Sequence, residues 1–142
     1  MQSAVARSYA RSAFTLVELI VVIVVLGILA GVAIPKYIDY SANAKAASCK
    51  GVLGGVRSAI DTFYVNASYN GAAAWPTLVQ LQTDGSVLQI AQIGINPYNG
   101  SATIAAATWN ATPPTSGANG WNYDVAVGKF WANTNTVGEN SW

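Results

Sequence analysis

Phe14 to Pro35 reads FTLVELIVVIVVLGILAGVAIP, and only Thr15 and Glu18 in it are polar. A helix of this length rises about 1.5 Å per residue and spans about 30 Å, the hydrocarbon thickness of a bilayer. The stretch therefore reads as a membrane helix with one acid near its start. A carboxylate at the bilayer centre costs roughly 2.5–3.5 kcal/mol, and less near an interface. Two readings of Glu18 stand side by side: a side chain that snorkels to the interface, or a charge kept for a partner.

On the N-terminal side, residues 1–13 are polar and basic, with Arg7 and Arg11 and no acid. Such a run resembles the start of a secretory signal. The apolar stretch is too long and carries too awkward a charge for an ordinary cleaved signal core. Two arginines precede the span, and Lys36, Lys45 and Lys50 follow it, so positive charge alone does not orient it.

On the other side the helical pattern continues from Lys36. Cys49, Leu53, Val56, Ile60 and Phe63 alternate spacings of four and three, which is one face of a helix, with Val52 and Ala59 beside it. Lys50, Arg57, Ser58 and Asp61 read as the opposite, solvated face. Gly51, Gly54 and Gly55 each cost about 1 kcal/mol in a helix interior. They invite close approach, either by the chain's own sheet or by a neighbouring helix. Pro35 removes one backbone hydrogen bond where Gly27 and Gly31 already weaken the helix, so the segment should kink or loosen there.

Residues 14–64 are thus expected to form one helix, membrane-spanning over 14–35 and amphipathic over 36–64. Residues 65–142 are expected to form a small globular domain. It begins with a loop over 65–76, followed by a short helix from Leu78 to Leu81 capped by Thr77. Three strands follow, Ala102 to Trp109, Trp121 to Val125 and Lys129 to Asn133, the last two as a hairpin. The fold class is α+β, a long helix packed on a small antiparallel sheet.

Composition excludes several functions. Net charge is +1, which leaves no electrostatic footprint for nucleic acid, and there is no histidine. Histidine-based triads and most transition-metal sites are absent with it, and no enzyme is expected. The single cysteine, Cys49, lies on the apolar stripe and reads as a small core residue. Asp124 and Glu139 are weak calcium candidates, because asparagines crowd the tail, although no ligand spacing is diagnostic. No other cofactor is expected. Five tryptophans, at 75, 109, 121, 131 and 142, read as core or subunit-contact residues, with an exposed sugar-binding strip as the sharper idea.

The run Ala13-Phe14-Thr15-Leu16-Val17-Glu18-Leu19-Ile20 resembles the processing motif of type IV pilins and type II secretion pseudopilins. Gly27 and Pro35 fall where type IV pilins carry a helix-loosening Gly and Pro. The resemblance implies that residues 1–13 are a leader and that a prepilin peptidase cuts between Ala13 and Phe14. It also implies N-methylation of Phe14 by the same enzyme. Ala13 departs from the family, which usually has Gly there. Glu18 would set subunit register against the α-amine of Phe14, and Gly27, Gly31 and Pro35 would let the helix deform. The implied protein is a structural filament subunit, either a small pilin or a major pseudopilin. It would be held in the bacterial inner membrane as a single pass with its N-terminus in the cytoplasm, then moved to a pseudopilus or surface pilus. Its partners would be copies of itself, an assembly platform, and minor pilins or pseudopilins. A monomeric, membrane-anchored periplasmic binding domain is the alternative.

Overall fold

The computed structural model describes residues 14–90 and 92–142; the leader expected over residues 1–13, Ala13 included, lies outside them. Helix α1 runs Leu16–Tyr69 and continues through Pro35. It is followed by α2 (Leu78–Leu81), β1 (Ile104–Ala106), β2 (Trp121–Asp124), β3 (Lys129–Ala132) and a 3-10 turn at Glu139–Ser141. Two compact units divide the chain, one ending at Tyr40 and one running Ser41–Trp142. The second holds the core.

The core forms on the stripe that the spacing predicts. Cys49, Leu53, Val56 and Ile60 are buried, and they cluster with Leu81, Ile104, Trp121, Tyr123 and Phe130. Phe63 and Val52 are only half-buried at the margins. Trp121 and Phe130 stack with ring centroids 5.5 Å apart. The Tyr123 hydroxyl donates to the Pro76 carbonyl at 2.7 Å, which ties β2 to the segment before α2. Burial pushes the Tyr123 pKa up to about 12, with the neighbouring Asp124 carboxylate adding to the shift.

Helix α1 ends at Tyr69, five residues beyond the expected limit at 64. The reason lies in its exit. Gly71 has φ +78°, in the left-handed region that glycine adopts freely. With Gly71 there, Ala72 N–H donates to Ala67 O (3.0 Å) and Gly71 N–H to Ser68 O (3.1 Å), the paired bonds of a Schellman end. Helix α2 has the expected bounds. Thr77 caps it, and Gln80 returns a bond to the Thr77 N–H to close a capping box.

The sheet order is β1-β2-β3, and it is mixed rather than wholly antiparallel. β2 and β3 form the expected antiparallel hairpin, pairing Trp121 with Ala132 and Tyr123 with Phe130. β1 instead pairs parallel with β2, Ile104 with Trp121 and Ala106 with Tyr123. A parallel neighbour needs a long crossover rather than a tight turn, and residues 107–120 supply it. β1 is also shorter than the run from Ala102 to Trp109, because its register with β2 pairs only residues 104–106.

The crossover has almost no regular structure, and buried asparagines fix it. Asn133 Nδ2 donates to Ser116 O (2.9 Å) and Asn119 O (2.8 Å), and its Oδ1 accepts from Ser116 N (2.8 Å). Asn122 Nδ2 donates to Pro114 O (3.0 Å), and Asn140 Nδ2 to Pro113 O (2.8 Å). Asn96 reaches Gly120 O at 2.8 Å. Among the described residues no buried side-chain nitrogen or oxygen lacks a partner. Each such group left unpaired would cost about 1–3 kcal/mol, so the network specifies one path for the crossover.

Candidate functional site: the apolar helix and its first turn

From Phe14 to Ile34 every residue is exposed, including Phe14 at 82% and Leu26 at 58%. Helix α1 is long and apolar enough to cross a membrane, and none of its most apolar window is buried within the chain. So large an apolar surface needs a non-aqueous environment, at roughly 25 cal/mol for each Å² left in water. A Cβ added at Gly27 or Gly31 would have no neighbour within 4 Å, so these positions leave room for whatever covers the helix.

The first turn explains what Glu18 does inside one chain. Thr15 Oγ1 accepts from the Glu18 N–H at 3.2 Å, and the Glu18 carboxylate accepts from the Thr15 N–H at 3.0 Å and its hydroxyl at 3.1 Å. This is a capping box, which satisfies two of the donors orphaned at a helix start. The signal was present as Thr-x-x-Glu ahead of an apolar run, and it adds a third role to snorkelling and partner pairing.

Sequence reasoning also misplaces Arg57. Its guanidinium is half-buried rather than on a solvated face, and donates from Nε to Phe130 O (2.8 Å) and from Nη2 to Trp142 O (2.5 Å). It thus fastens β3 and residue 142 to α1. Gly51, Gly54 and Gly55 have nothing within 4 Å of an added Cβ, so the chain's own sheet is not what approaches them.

Asp124 and Glu139 are both buried and both serve the backbone. Asp124 accepts from Trp109 N and Ala126 N, each at 2.8 Å. Glu139 accepts from Thr136 N (2.9 Å) and Val137 N (2.7 Å). No cluster of three or more His, Cys, Asp or Glu occurs among the described residues. Burial alone would raise the pKa of Glu139, but the N–H groups of Thr136 and Val137 and the Thr134 side chain outweigh it and hold the carboxyl below its ordinary 4.5. A depressed folded-state pKa stabilises the fold fully above the ordinary value and loses that contribution as pH falls through the lowered one. Glu139→Gln should therefore lower stability at pH 7 by roughly 1–3 kcal/mol and flatten the acid limb below pH 4.5, read by thermal melts across pH.

Cys49 is fully buried, and burial, followed by the Glu139 carboxylate, pushes its thiol up to about 11. Such a thiol is unreactive. Trp121 and Trp131 are core residues, whereas Trp75, Trp109 and Trp142 are half-buried.

The long apolar helix, its capped first turn and the small α+β domain define a pilin-like architecture. Residues 9–34 match the model of the prokaryotic N-terminal methylation motif. The chain is similar to type IV pilins and fimbrial proteins. Fimbrial protein EcpC of Eikenella corrodens is 31% identical over 100 residues, covering 70% of this chain and 58% of that one. The type IV major pilin protein PilE1 of Neisseria gonorrhoeae is 43% identical over 56 residues, 39% of this chain and 34% of that one. A fimbrial protein of Moraxella nonliquefaciens is 42% identical over 53 residues, 37% and 34% of the two chains. The chain thus spans between a third and three-fifths of the length of these relatives. No solved structure matches it at a significant level.

Proposed function

We propose that the chain is a structural subunit of a type IV pilus-like filament, a small pilin or a major pseudopilin, that polymerises through its apolar helix. The observation that carries this reading is the complete exposure of Phe14 to Ile34. Among the described residues nothing covers that surface. Lipid covers it during storage as a single pass in the inner membrane, with the N-terminus cytoplasmic. In the filament, like helices replace the lipid, and the small residues Gly27, Ala30, Gly31 and Ala33 permit their close approach.

Cleavage between Ala13 and Phe14 by a prepilin peptidase, with N-methylation of Phe14, creates an α-amine four residues before Glu18. In lipid the Thr15 cap satisfies the Glu18 carboxylate. In the bundle the same carboxylate pairs with the Phe14 amine of its own or a neighbouring copy, which fixes axial register. A paired charge is tolerated in a low-dielectric core and an unpaired one is not. Gly27, Gly31 and Pro35 let the helix deform as subunits pack. Assembly requires an inner-membrane platform and minor pilins or pseudopilins as partners.

Mass spectrometry of the protein from its native cell provides the test. The expected mature chain begins at methylated Phe14. Recovery of only the intact Met1 chain would overturn the reading in favour of an uncleaved, membrane-anchored domain. Electron microscopy of sheared surface material then separates a long pilus from a short periplasmic pseudopilus.

A further inference from the structure

Arg57 and Asp61 of α1, Trp109 of the crossover, Lys129 at the start of β3, and Ser141 and Trp142 line one open cleft of about 290 Å³. Two cation–tryptophan pairs bracket it. Lys129 Nζ lies 5.9 Å from the Trp109 ring centroid. Lys50 Nζ lies 4.6 Å from that of Trp142, in an adjoining hollow that Arg57 also lines. Among the side chains of the cleft and the adjoining hollow, Arg57, Lys129 and Lys50 are cationic and Asp61 is anionic.

Its parts are held in place. Arg57 is fixed by the main-chain oxygens of Phe130 and Trp142, which leaves three of its five N–H groups for a further acceptor. The Trp109 ring is braced edge-on by Trp131 at 5.3 Å, and Trp142 by Tyr98 at 6.4 Å. Rigid aromatic platforms lose little conformational entropy on binding. A half-buried indole offers an apolar face that suits the C–H face of a pyranose. Asp61 and Ser141 accept hydrogen bonds, which suits ring hydroxyls.

We propose that this cleft binds an acidic sugar, a carboxylate-bearing pyranose within an oligosaccharide. The carboxylate meets Arg57 and Lys129, the ring stacks on Trp109 or Trp142, and hydroxyls donate to Asp61 and Ser141. Interleaved cations and aromatics also suit single-stranded nucleic acid. Asp61 argues for the sugar, because pyranose hydroxyls can donate to it and the sugar-phosphate backbone of oligothymidylate offers no donor. This inference does not depend on whether the chain polymerises.

Tryptophan fluorescence of the full chain in detergent micelles, titrated with tetragalacturonate, maltotetraose and oligothymidylate, tests it. Tetragalacturonate should give a saturating change, and maltotetraose should bind at least about tenfold more weakly. Lys129→Gln, an exposed substitution that leaves the core untouched, should weaken tetragalacturonate binding several-fold, and added salt should weaken it further. Equal binding of the neutral sugar, tighter binding of oligothymidylate, no binding of tetragalacturonate, or an unchanged affinity in Lys129→Gln would each overturn the proposal.

Discussion

Glu18→Ala is expected to give a chain that is still cut before Phe14 but enters filaments at least about tenfold less efficiently. Sheared filament yield, normalised to processed subunit in the membrane, measures it. Two losses contribute, and they are separable. Alanine removes the reciprocal half of the capping box, the bonds from the Thr15 N–H and hydroxyl to the carboxylate, and keeps the backbone bond from residue 18 to Thr15 Oγ1. It also removes the charge that the proposed filament core pairs with the Phe14 amine. Glu18→Gln distinguishes them, because glutamine at the third helical position still closes a capping box with Thr15. A Gln variant as defective as Ala assigns the effect to charge. A Gln variant that assembles normally would sink the register role and leave Glu18 as a cap alone.

Gly120→Ala is expected to produce the largest loss of stability in the domain. A Cβ there would fall inside the van der Waals shell of the Ser101 carbonyl oxygen and 2.7 Å from its carbon. Neither can yield, because both are main-chain atoms held in the same network. Gly120 N–H donates to Thr103 O, and Gly120 O accepts from Asn133 N, each at 3.0 Å. Asn96 Nδ2 donates to that same Gly120 oxygen. Moving the strand to relieve the clash breaks these bonds. We expect a cost of roughly 3 kcal/mol or more, at the upper end for overpacking. For a domain of this size that lowers the melting temperature by about 12–24 °C. A change of less than about 4 °C in the full chain would show that the sheet adapts at no cost.

The parts of the fold that were legible in the sequence were those written locally. The phase of Cys49, Leu53, Val56 and Ile60 repeats within a few residues, so the buried stripe of α1 follows from spacing. Thr77 and Gln80 are three apart, and the cap they make is equally local. Tertiary pairing is where the reading stops. The parallel partnership of Ile104 with Trp121 depends on a crossover whose path is fixed by Asn122, Asn133 and Asn140, each bonding to backbone many residues away. No periodicity encodes that. The charge of Arg57 points to solvent, but its place four residues after Leu53 and three before Ile60 puts it on the flank of the buried stripe, and one of its acceptors, Phe130 O, lies 73 residues further along the chain. Thr15 and Glu18 are the opposite case. Their reciprocal bonds span three residues and were readable, but the hydrophobic surroundings drew the reading toward the cost of a buried charge.

The asparagine framework around the crossover bears on where such a domain can work. Its four main members, Asn96, Asn122, Asn133 and Asn140, are buried, and all are amides. An amide does not titrate, and a short bond between neutral groups is hardly screened by salt. Apart from Asp124 and Glu139, the interior therefore answers little to the chemistry of the surrounding fluid. Fresh water, brine and mildly acidic media should leave the crossover on the same path. Such indifference is what the proposed function asks of a domain held outside the cytoplasm.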